Sequence, residues 1–381
     1  MWGRLELRWV IACRAEVPVG LIVEAGCEAA GGDSGKMDAR LVRGLIIALI
    51  LGTVALLVVF KISGVNVTWS DLMRIDPIVV AVALALVAAT WVFDSLRMSA
   101  LVRAMGENLG FWSGIRVAIT GVFVASLMPF NAGGEPMQIY LLRNEGLSMG
   151  QASAVVAVKT FCNALAKVIV AFTASSWIVL SGIGWRVPSQ MKVVLLTAYS
   201  LYVAFFLFAL FLMADPRRIE TVVAPILRSR IVARFLGDGG PERVLRSIRK
   251  WTAEFETSLA HYWERERWTL LAVIYLSVAG WLALILVPTM ILAALGIGAP
   301  SEQVMANVIL FHMISSYVPT PGASGAAELG FAELFRMVIP PALIGLTVAL
   351  WRLLTYYFTL MVGGALTIGQ LLRRAMEPTE E

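Results

Sequence analysis

No Asp, Glu, Lys or Arg occurs in residues 268–301, where the sequence reads WTLLAVIYLSVAGWLALILVPTMILAALGIGAPS. A helix of about 20 apolar residues crosses roughly 30 Å of hydrocarbon, so this stretch is long enough to span a bilayer. The chain contains further uncharged stretches that reach, or nearly reach, a spanning length. They cover residues 44–60, 77–93, 117–134, 168–185, 193–214, 303–327, 337–351 and 353–372.

The composition indicates the same class of protein. Of the 381 residues, 59% are hydrophobic and 15% are charged, against about 25% charged in a soluble domain. We predict an all-α, polytopic helical bundle in a membrane, with about six full spans and two broken hairpins, about eight hydrophobic elements in all. The net charge of +5 comes from basic residues that flank the apolar stretches, which is a topology signal of membrane proteins. We therefore expect no nucleic-acid partner.

The sequence shows no pattern for metal or redox chemistry. Its two His and three Cys (Cys13, Cys27 and Cys162) have no paired spacing, so we predict neither a zinc site nor a disulfide framework. No nucleotide-binding loop, serine-nucleophile elbow or HExxH motif occurs. We expect no cofactor and no ATP-driven pumping by this chain.

The chain divides into three predicted regions. Residues 1–36 mix charged residues with apolar runs too short to span, and we predict an N-terminal extension. Met37 stands before a basic segment and an uncharged span, so one interpretation is a mis-assigned start upstream, and the other is a genuine cytoplasmic tail. Residues 37–373 form the predicted membrane domain, and residues 374–381 form a C-terminal tail.

A polar insert, residues 215–267, interrupts the membrane domain and is rich in basic residues. We predict that it is cytoplasmic and contains an amphipathic helix. This helix either lies on anionic lipid headgroups or packs against the ends of the spans. Its apolar face is predicted to comprise Val244, Leu245, Ile248, Trp251, Phe255, Leu259 and Tyr262.

Charge counting predicts two hairpins that enter from opposite faces. No Lys or Arg occurs in residues 268–335, which places the connection near residue 300 outside, whereas Arg373 and Arg374 place the C-terminus inside. Residues 304–340 must then begin and finish outside, and by the same reasoning residues 112–150 begin and finish inside. Ser-Leu-Met-Pro at 126–129 and Ser-Tyr-Val-Pro at 316–319 precede Gly-rich turns, which indicates an inverted repeat.

Both predicted turns are unsuited to continuous helix. The first reads PFNAGGEPMQ at 129–138, and the second reads PTPGASGAAE at 319–328. Proline and glycine interrupt a helix, and Pro136 suits the first turn of the next helix. A helix N-terminus at membrane depth would attract phosphate or carboxylate groups. The alternative is a simple helix kink.

Ionisable residues in or near the spans are the candidates for chemistry, since a charge near the bilayer centre costs roughly 2.5 to 3.5 kcal/mol. They are Glu135, Arg143, Lys159, Lys167, Glu328 and Arg352. In one interpretation Lys159 and Arg352 hold an anionic headgroup, while the two glutamates take a cationic group or a proton. In the other, these charges form structural ion pairs. The predicted substrate-binding set is Asn131, Gly133, Gly134, Glu135, Gln138, Arg143, Lys159, Pro321, Gly322, Ser324, Gly325, Glu328, Arg352 and Tyr356.

Three motifs in this order resemble the lysylphosphatidylglycerol synthase transmembrane family, also called flippase-like domain proteins. They are residues 129–148, the PTPG turn with Ser324, Gly325 and Glu328, and WRLLTYY at 351–357. The similarity covers about residues 40–373. One departure is Ala323, where the family pattern leads us to expect glycine.

The resemblance implies a membrane domain that translocates a lipid. In two-part members, a soluble domain transfers the amino acid from charged tRNA; here the sequence stops at Glu381, so we expect no aminoacyl transfer and favour a non-enzymatic function. We predict binding and translocation of an anionic phospholipid or lipid-linked glycan across the cytoplasmic membrane, with both termini cytoplasmic. The alternative is a membrane enzyme, or a subunit associated with a glycosyltransferase or lipid-modifying enzyme, that acts on polyprenyl-phosphate sugars.

Overall fold

The computed structural model describes residues 75–131, 133–180, 189–215, 217–227, 229, 240–298, 301–315, 318 and 320–376. The predicted extension (1–36) and the first predicted span (44–60) lie outside the described residues. The described helices are α1 Pro77–Ala104, α2 Phe111–Leu127, α3 Gly134–Asn144, α4 Met149–Leu180, α5 Ser189–Ala214, α6 Arg217–Leu227, α7 Gly240–Arg265, α8 Arg267–Ala294, α9 Ser301–Ser315, α10 Ala326–Phe335, α11 Pro341–Arg352 and α12 Phe358–Met376.

The described part of the chain is helical, without strands. Four helical segments in it are long and apolar enough to cross a membrane: Pro77–Ala104, Met149–Thr173, Arg267–Ala294 and Pro341–Thr367. Shorter apolar helices cover Phe111–Leu127 and Ser200–Leu212. The predicted class, an all-α polytopic membrane protein, is confirmed.

The last of these segments contains Arg352, which separates the two uncharged stretches 337–351 and 353–372 in the sequence. A π-helical turn, Leu353–Tyr357, joins α11 to α12 directly after Arg352. Arg352 is buried and forms an ion pair with Glu328. Because the charge is neutralised inside the bundle, it does not end the helix.

Helices α1 and α8 form the centre of the bundle. Val87 of α1 and Val287 of α8 are buried in the same apolar cluster. At one end of this pair, the Asp76 backbone N–H donates to the Ala294 carbonyl over 3.3 Å. Asp76 also caps α1, since its carboxylate accepts from the Ile78 N–H at 2.9 Å.

Two helical hairpins pack against this centre. The first hairpin comprises α2, the turn Pro129–Asn131 and α3; the second comprises α9, the turn Pro321–Ala323 and α10. In the first, Gly121 faces Gln138, where an added Cβ would lie 2.6 Å from Nε2. In the second, Asn307 donates its side-chain N–H to the Leu334 carbonyl over 2.8 Å. In each hairpin the chain therefore reverses its direction at the proline-containing turn.

The hairpins begin at opposite ends of the bundle. The first follows the C-terminal end of α1, and the second follows the C-terminal end of α8. The hydrogen bond from Asp76 to Ala294 places the latter end beside the start of α1. Since α1 has 28 residues, its two ends are about 42 Å apart.

The two turns share one backbone conformation. Phe130 and Asn131 have φ of 57° and 54°, and Gly322 and Ala323 have the same pair of values. Left-handed φ is unfavourable for residues other than glycine, so Ala323, the departure from the family pattern, stands at a strained position. Each turn leads to a glycine, Gly133 or Gly325, that precedes the next helix.

This common geometry corrects the register of the predicted repeat. The 3-10 turns begin at Pro129 and Pro321, so Pro321 corresponds to Pro129, whereas the sequence match aligned Pro319 with it. In the structural register Glu135 is the second residue of α3 and Glu328 the third residue of α10. Successive helical residues point about 100° apart, so the two glutamates face different surroundings.

The predicted amphipathic helix corresponds to α7, and the described side chains of its apolar face pack against protein. Phe255 and Tyr262 are buried in a cluster with Leu101 and Val155, and Leu245 packs in a second cluster with residues of α6. The Tyr262 hydroxyl donates to the Leu101 carbonyl over 2.8 Å, and burial raises the pKa of this phenol. The interpretation of this face as packed on the spans therefore describes the structure. Headgroup binding by the exposed basic residues of α7 stays a prediction.

Candidate functional site

A buried cluster of charged and polar side chains, which we call the first cluster, lies where α1, α3 and α4 meet. It consists of Asp94, Arg97, Gln138 and Lys159, all of which are buried. Arg97 Nη2 and Lys159 Nζ lie 2.8 and 3.2 Å from Asp94 Oδ1. Gln138 donates from Nε2 to Asp94 Oδ2 over 3.2 Å and accepts from Lys159 Nζ at 2.5 Å. One carboxylate thus receives hydrogen bonds from two cations and one amide.

Arg97 extends the first cluster toward α8. Its Nη1 donates to Asn163 Oδ1 over 2.9 Å and to Ser277 Oγ over 3.1 Å. Its Nε is buried and has no acceptor among the described residues. The guanidinium therefore retains one unused donor in a site removed from solvent.

The first cluster lies deep in the helical bundle. Asp94 precedes the end of α1 by about ten residues, and Lys159 follows the start of α4 by the same number, which is about 15 Å along each helix. The hydrocarbon core of a bilayer is roughly 30 Å thick. These depths are compatible with a position near the middle of a membrane.

The second cluster closes the turn of the second hairpin. Arg352 Nε donates to Glu328 Oε1 over 2.7 Å, and both of its Nη atoms donate to the Gly322 carbonyl over 3.2 Å. Glu328 Oε2 accepts from the Gly325 N–H at 2.7 Å, which satisfies a free donor at the start of α10. The arginine and the carboxylate are thus engaged with each other and with the turn.

Tyr356 links the second turn to the first hairpin. Its ring lies against Gly322, where an added Cβ would overlap it. Its hydroxyl donates to the Ser126 carbonyl in α2 over 3.4 Å, and the Arg352 guanidinium stacks 4.7 Å from its ring centroid. The two turns also pack directly against each other.

The structure brings some predicted residues together and separates others. Lys159 and Gln138 belong to the first cluster, whereas Glu328, Arg352 and Gly322 belong to the second. Tyr356 lies beside the second cluster. Of the remaining predicted residues, Ser324 is buried, Asn131, Gly133, Pro321 and Gly325 are half-buried in the turns, Gly134 is buried against α2, and Glu135 and Arg143 are exposed.

Two residues of the first cluster were not among the predicted ones. Asp94 and Arg97 directly follow the uncharged stretch 77–93, so charge counting placed them at the end of a span, although α1 continues to Ala104. Their spacing was the available signal, because opposite charges three residues apart lie on one face of a helix. Charge counting alone therefore gives Lys159 no carboxylate partner.

Lys167 and His312 form a separate polar contact. Lys167 Nζ donates to the His312 carbonyl over 3.0 Å and lies about 5.0 Å from the ring centroid of Trp281. Together with Ile285 and Ile309, Lys167 and Trp281 line a cavity. This contact is distinct from both clusters.

These features define a class of multi-pass helical membrane protein with two opposed helical hairpins and a cluster of buried charges against each hairpin. The chain belongs to the family described as Lysylphosphatidylglycerol synthase TM region, which matches residues 45–363. It is 23% identical over 318 residues to a UPF0104 membrane protein of Archaeoglobus fulgidus, covering 84% of this chain and 94% of that protein. It is 25% identical over 324 residues to a UPF0104 membrane protein of Methanothermobacter thermautotrophicus, covering 84% and 93%.

Proposed function

We propose that this protein binds an anionic amphipathic lipid, a phospholipid or a lipid-linked glycan, and moves its headgroup across the cytoplasmic membrane. The observation that carries the proposal is the meeting of two broken turns from hairpins that begin at opposite ends of the bundle, with a cluster of buried charges against each hairpin. Buried charges are costly in a membrane and usually mark substrate or ion pathways. Irregular backbone at membrane depth is tolerated only where protein covers it or a cavity reaches it.

The proposed topology makes both hairpins re-entrant, so neither crosses the membrane completely. The helices of the hairpins support this, because α3 has 11 residues and α10 has 10, fewer than the roughly 20 of a spanning helix. In this arrangement both chain termini and α7 face the cytoplasm. Exposed basic side chains of α7, such as Arg246, would contact anionic headgroups.

The two glutamates of the predicted site have different tasks in this proposal. Glu328 is buried and holds Arg352 and the Gly325 N–H, so it maintains the second turn. Glu135 is exposed at the start of α3. Glu135 is therefore the carboxylate that could exchange a proton with water during transfer.

Lipid transfer in vesicles tests the proposed function. The full chain is reconstituted into phosphatidylcholine vesicles that contain a trace of phosphatidylglycerol with a dithionite-sensitive fluorophore on an acyl chain. We expect dithionite to bleach the inner-leaflet probe in vesicles with the protein and to spare it in protein-free vesicles.

A zwitterionic probe of the same chain length serves as the control for headgroup selectivity and should be bleached more slowly. Protection of the inner leaflet with both probes, in vesicles shown to contain folded protein, would contradict translocation. It would favour the alternative function, a subunit acting on polyprenyl-phosphate sugars.

A further inference from the structure

We propose that Arg97 and Lys159 form the subsite for the phosphate group of the lipid, and that Asp94 is an internal counter-ion whose place the phosphate takes. The inference rests on the proposed function, because it assigns one group of the lipid to one part of the site. It also gives the two clusters different roles: the first binds the ligand, and the second stabilises the structure.

The charge balance of the two clusters differs. In the first cluster, two cations face a single carboxylate, and no further acidic side chain of the described residues forms an ion pair with Arg97 or Lys159. In the second cluster, one arginine faces one glutamate. A net positive charge in a site shielded from water strongly favours an anion. The first cluster therefore has an excess of positive charge that an anionic group would neutralise.

The donors of the first cluster match the oxygens of a phosphate. The Asp94 carboxylate already lies where an anion would sit, between Arg97 Nη2 at 2.8 Å and Lys159 Nζ at 3.2 Å from Oδ1. Arg97 Nε, on the same planar guanidinium, is buried without an acceptor. Arginine binds phosphate through two parallel N–H groups. A phosphate could engage Nε as well as the donors that Asp94 uses.

Arg352 is the other cation that the sequence predicts to hold the headgroup, but its N–H groups already donate hydrogen bonds within the protein. Its Nε bonds Glu328, and its two Nη atoms bond the Gly322 carbonyl. An anion would have to displace both the carboxylate and the backbone of the turn. We infer that Arg352 positions the second turn and that the phosphate binds at the first cluster.

Gln138 connects this subsite to the first hairpin. It lies on α3 and bonds Asp94 and Lys159 through the two ends of one amide. A movement of α3 away from α1 and α4 would break both bonds together and free Lys159 on that side. The exchange of Asp94 for phosphate is thereby coupled to the position of the first hairpin.

Calorimetric titration of the purified full chain in an uncharged detergent tests the subsite. The probes are dioctanoyl phosphatidylglycerol, dioctanoylglycerol, which lacks the phosphate, and inorganic phosphate as a competitor. Lys159→Met should weaken phosphatidylglycerol binding about tenfold or more, since a charge-assisted hydrogen bond is lost, and leave dioctanoylglycerol binding unchanged. Asp94→Asn should tighten phosphatidylglycerol binding, because the internal competitor loses its charge.

Lys167→Met is the matched control, because it removes the same group from the same helix outside the first cluster. It should bind both lipids as the unaltered protein does. Competition by inorganic phosphate would identify free phosphate as a second source of the ligand; binding of the lipid without such competition would restrict the subsite to headgroups. Lys159→Arg should retain lipid binding, which separates the charge from the shape of the side chain.

Unchanged phosphatidylglycerol binding in a folded Lys159→Met protein would overturn the proposal, as would weaker binding in a folded Asp94→Asn protein. If Asp94→Asn fails to fold, the comparison of Lys159→Met with Lys159→Arg tests the proposal, because only the variant that keeps the positive charge should retain lipid binding. The vesicle assay separates this inference from the proposed function. Transfer by Lys159→Met at the normal rate would remove the subsite and keep translocation, whereas selective binding without transfer would keep the subsite and remove translocation.

Discussion

Arg352 and Glu328 form a buried ion pair, with Nε and Oε1 separated by 2.7 Å, that fastens α11 to the turn of the second hairpin. A buried ion pair is weak evidence for stability as such, because desolvation offsets the Coulomb attraction. Its value here is geometric, since Arg352 also bonds the Gly322 carbonyl and Glu328 the Gly325 N–H. The pair holds a turn in which Ala323, a residue other than glycine, has a left-handed φ.

Removal of Arg352 should destabilise the protein by about 3 to 5 kcal/mol, because Glu328 would remain buried without a counter-ion. We expect Arg352→Met to lower the midpoint of thermal unfolding in detergent, and Glu328→Gln with Arg352→Met to recover much of the loss. A double variant as unstable as the single one would show that the contacts of Arg352 with the turn, and not its charge, determine stability.

The glycine at position 322 is required by both its conformation and its neighbour. Its φ is +57° and an added Cβ would overlap Tyr356, so Gly322→Ala should destabilise by more than the strained φ alone, which costs about 1 to 3 kcal/mol. Gly330→Ala, in α10 of the same hairpin, meets nothing within 4 Å and should be neutral or stabilising. Unfolding midpoints of the two variants provide the comparison, and equal midpoints would contradict this account of the turn.

Gly121 and Gln138 should act as one unit. An added Cβ at Gly121 would lie 2.6 Å from Gln138 Nε2, which would push the amide away from Asp94 and Lys159. We expect Gly121→Ala and Gln138→Ala each to slow lipid transfer about tenfold, the cost of hydrogen bonds to charged groups. The double variant should be no slower than Gln138→Ala alone. Additive losses in transfer rate would mean that Gly121 acts through another contact.

The packing of α7 predicts a contrast between two of its aromatic residues. Phe255 is 4% exposed and Trp263 is 47% exposed. Phe255→Ala should cost about 3 to 5 kcal/mol of stability through the cavity that it leaves, whereas Trp263→Ala should leave the unfolding midpoint nearly unchanged. The measurement is unfolding in detergent, where no bilayer can substitute for the missing contacts. A stable Phe255→Ala protein would argue for α7 on the membrane surface.

Glu135 is the carboxylate for which we expect a role in pH-dependent transfer. Glu135→Gln should abolish the change of transfer rate with pH in vesicles, because the exposed acid at the start of α3 can no longer exchange a proton. Glu145→Gln alters the other end of α3, where the carboxylate is exposed and lies 3.7 Å from Arg116. It should keep the pH dependence. If the Glu135→Gln protein keeps the pH dependence, Glu135 does not link proton exchange to lipid transfer.

The sequence predicted several parts of the fold because they depend on local composition. A long uncharged stretch must be buried in lipid or protein whatever its neighbours are, so the helical spans followed from residues such as 268–301. Proline and glycine at 129–138 and 319–328 limit the backbone in the same local way, and both stretches form turns. Two of the three family motifs include these turns.

The partners of the buried charges could not be predicted in this way. The sequence indicates Lys159 and Arg352 as charges that need compensation, and both are buried beside a carboxylate. The carboxylate beside Lys159 belongs to Asp94, which is 65 residues away in the chain. The position of Glu135 relative to Glu328 was also decided by the tertiary structure. Glu135 is the second residue of α3 and Glu328 is the third residue of α10, and one residue turns a helical side chain by about 100°.

The sequence by itself determined the class of the protein, the location of its helical breaks and the family to which it belongs, since hydrophobicity and backbone propensity act within a short stretch of chain. Tertiary structure alone decided that Asp94, Arg97 and Lys159 meet in one cluster and that Arg352 is neutralised by Glu328. The reason is physical: Coulomb energy depends on distances between side chains, and those distances are set by which helix faces pack together.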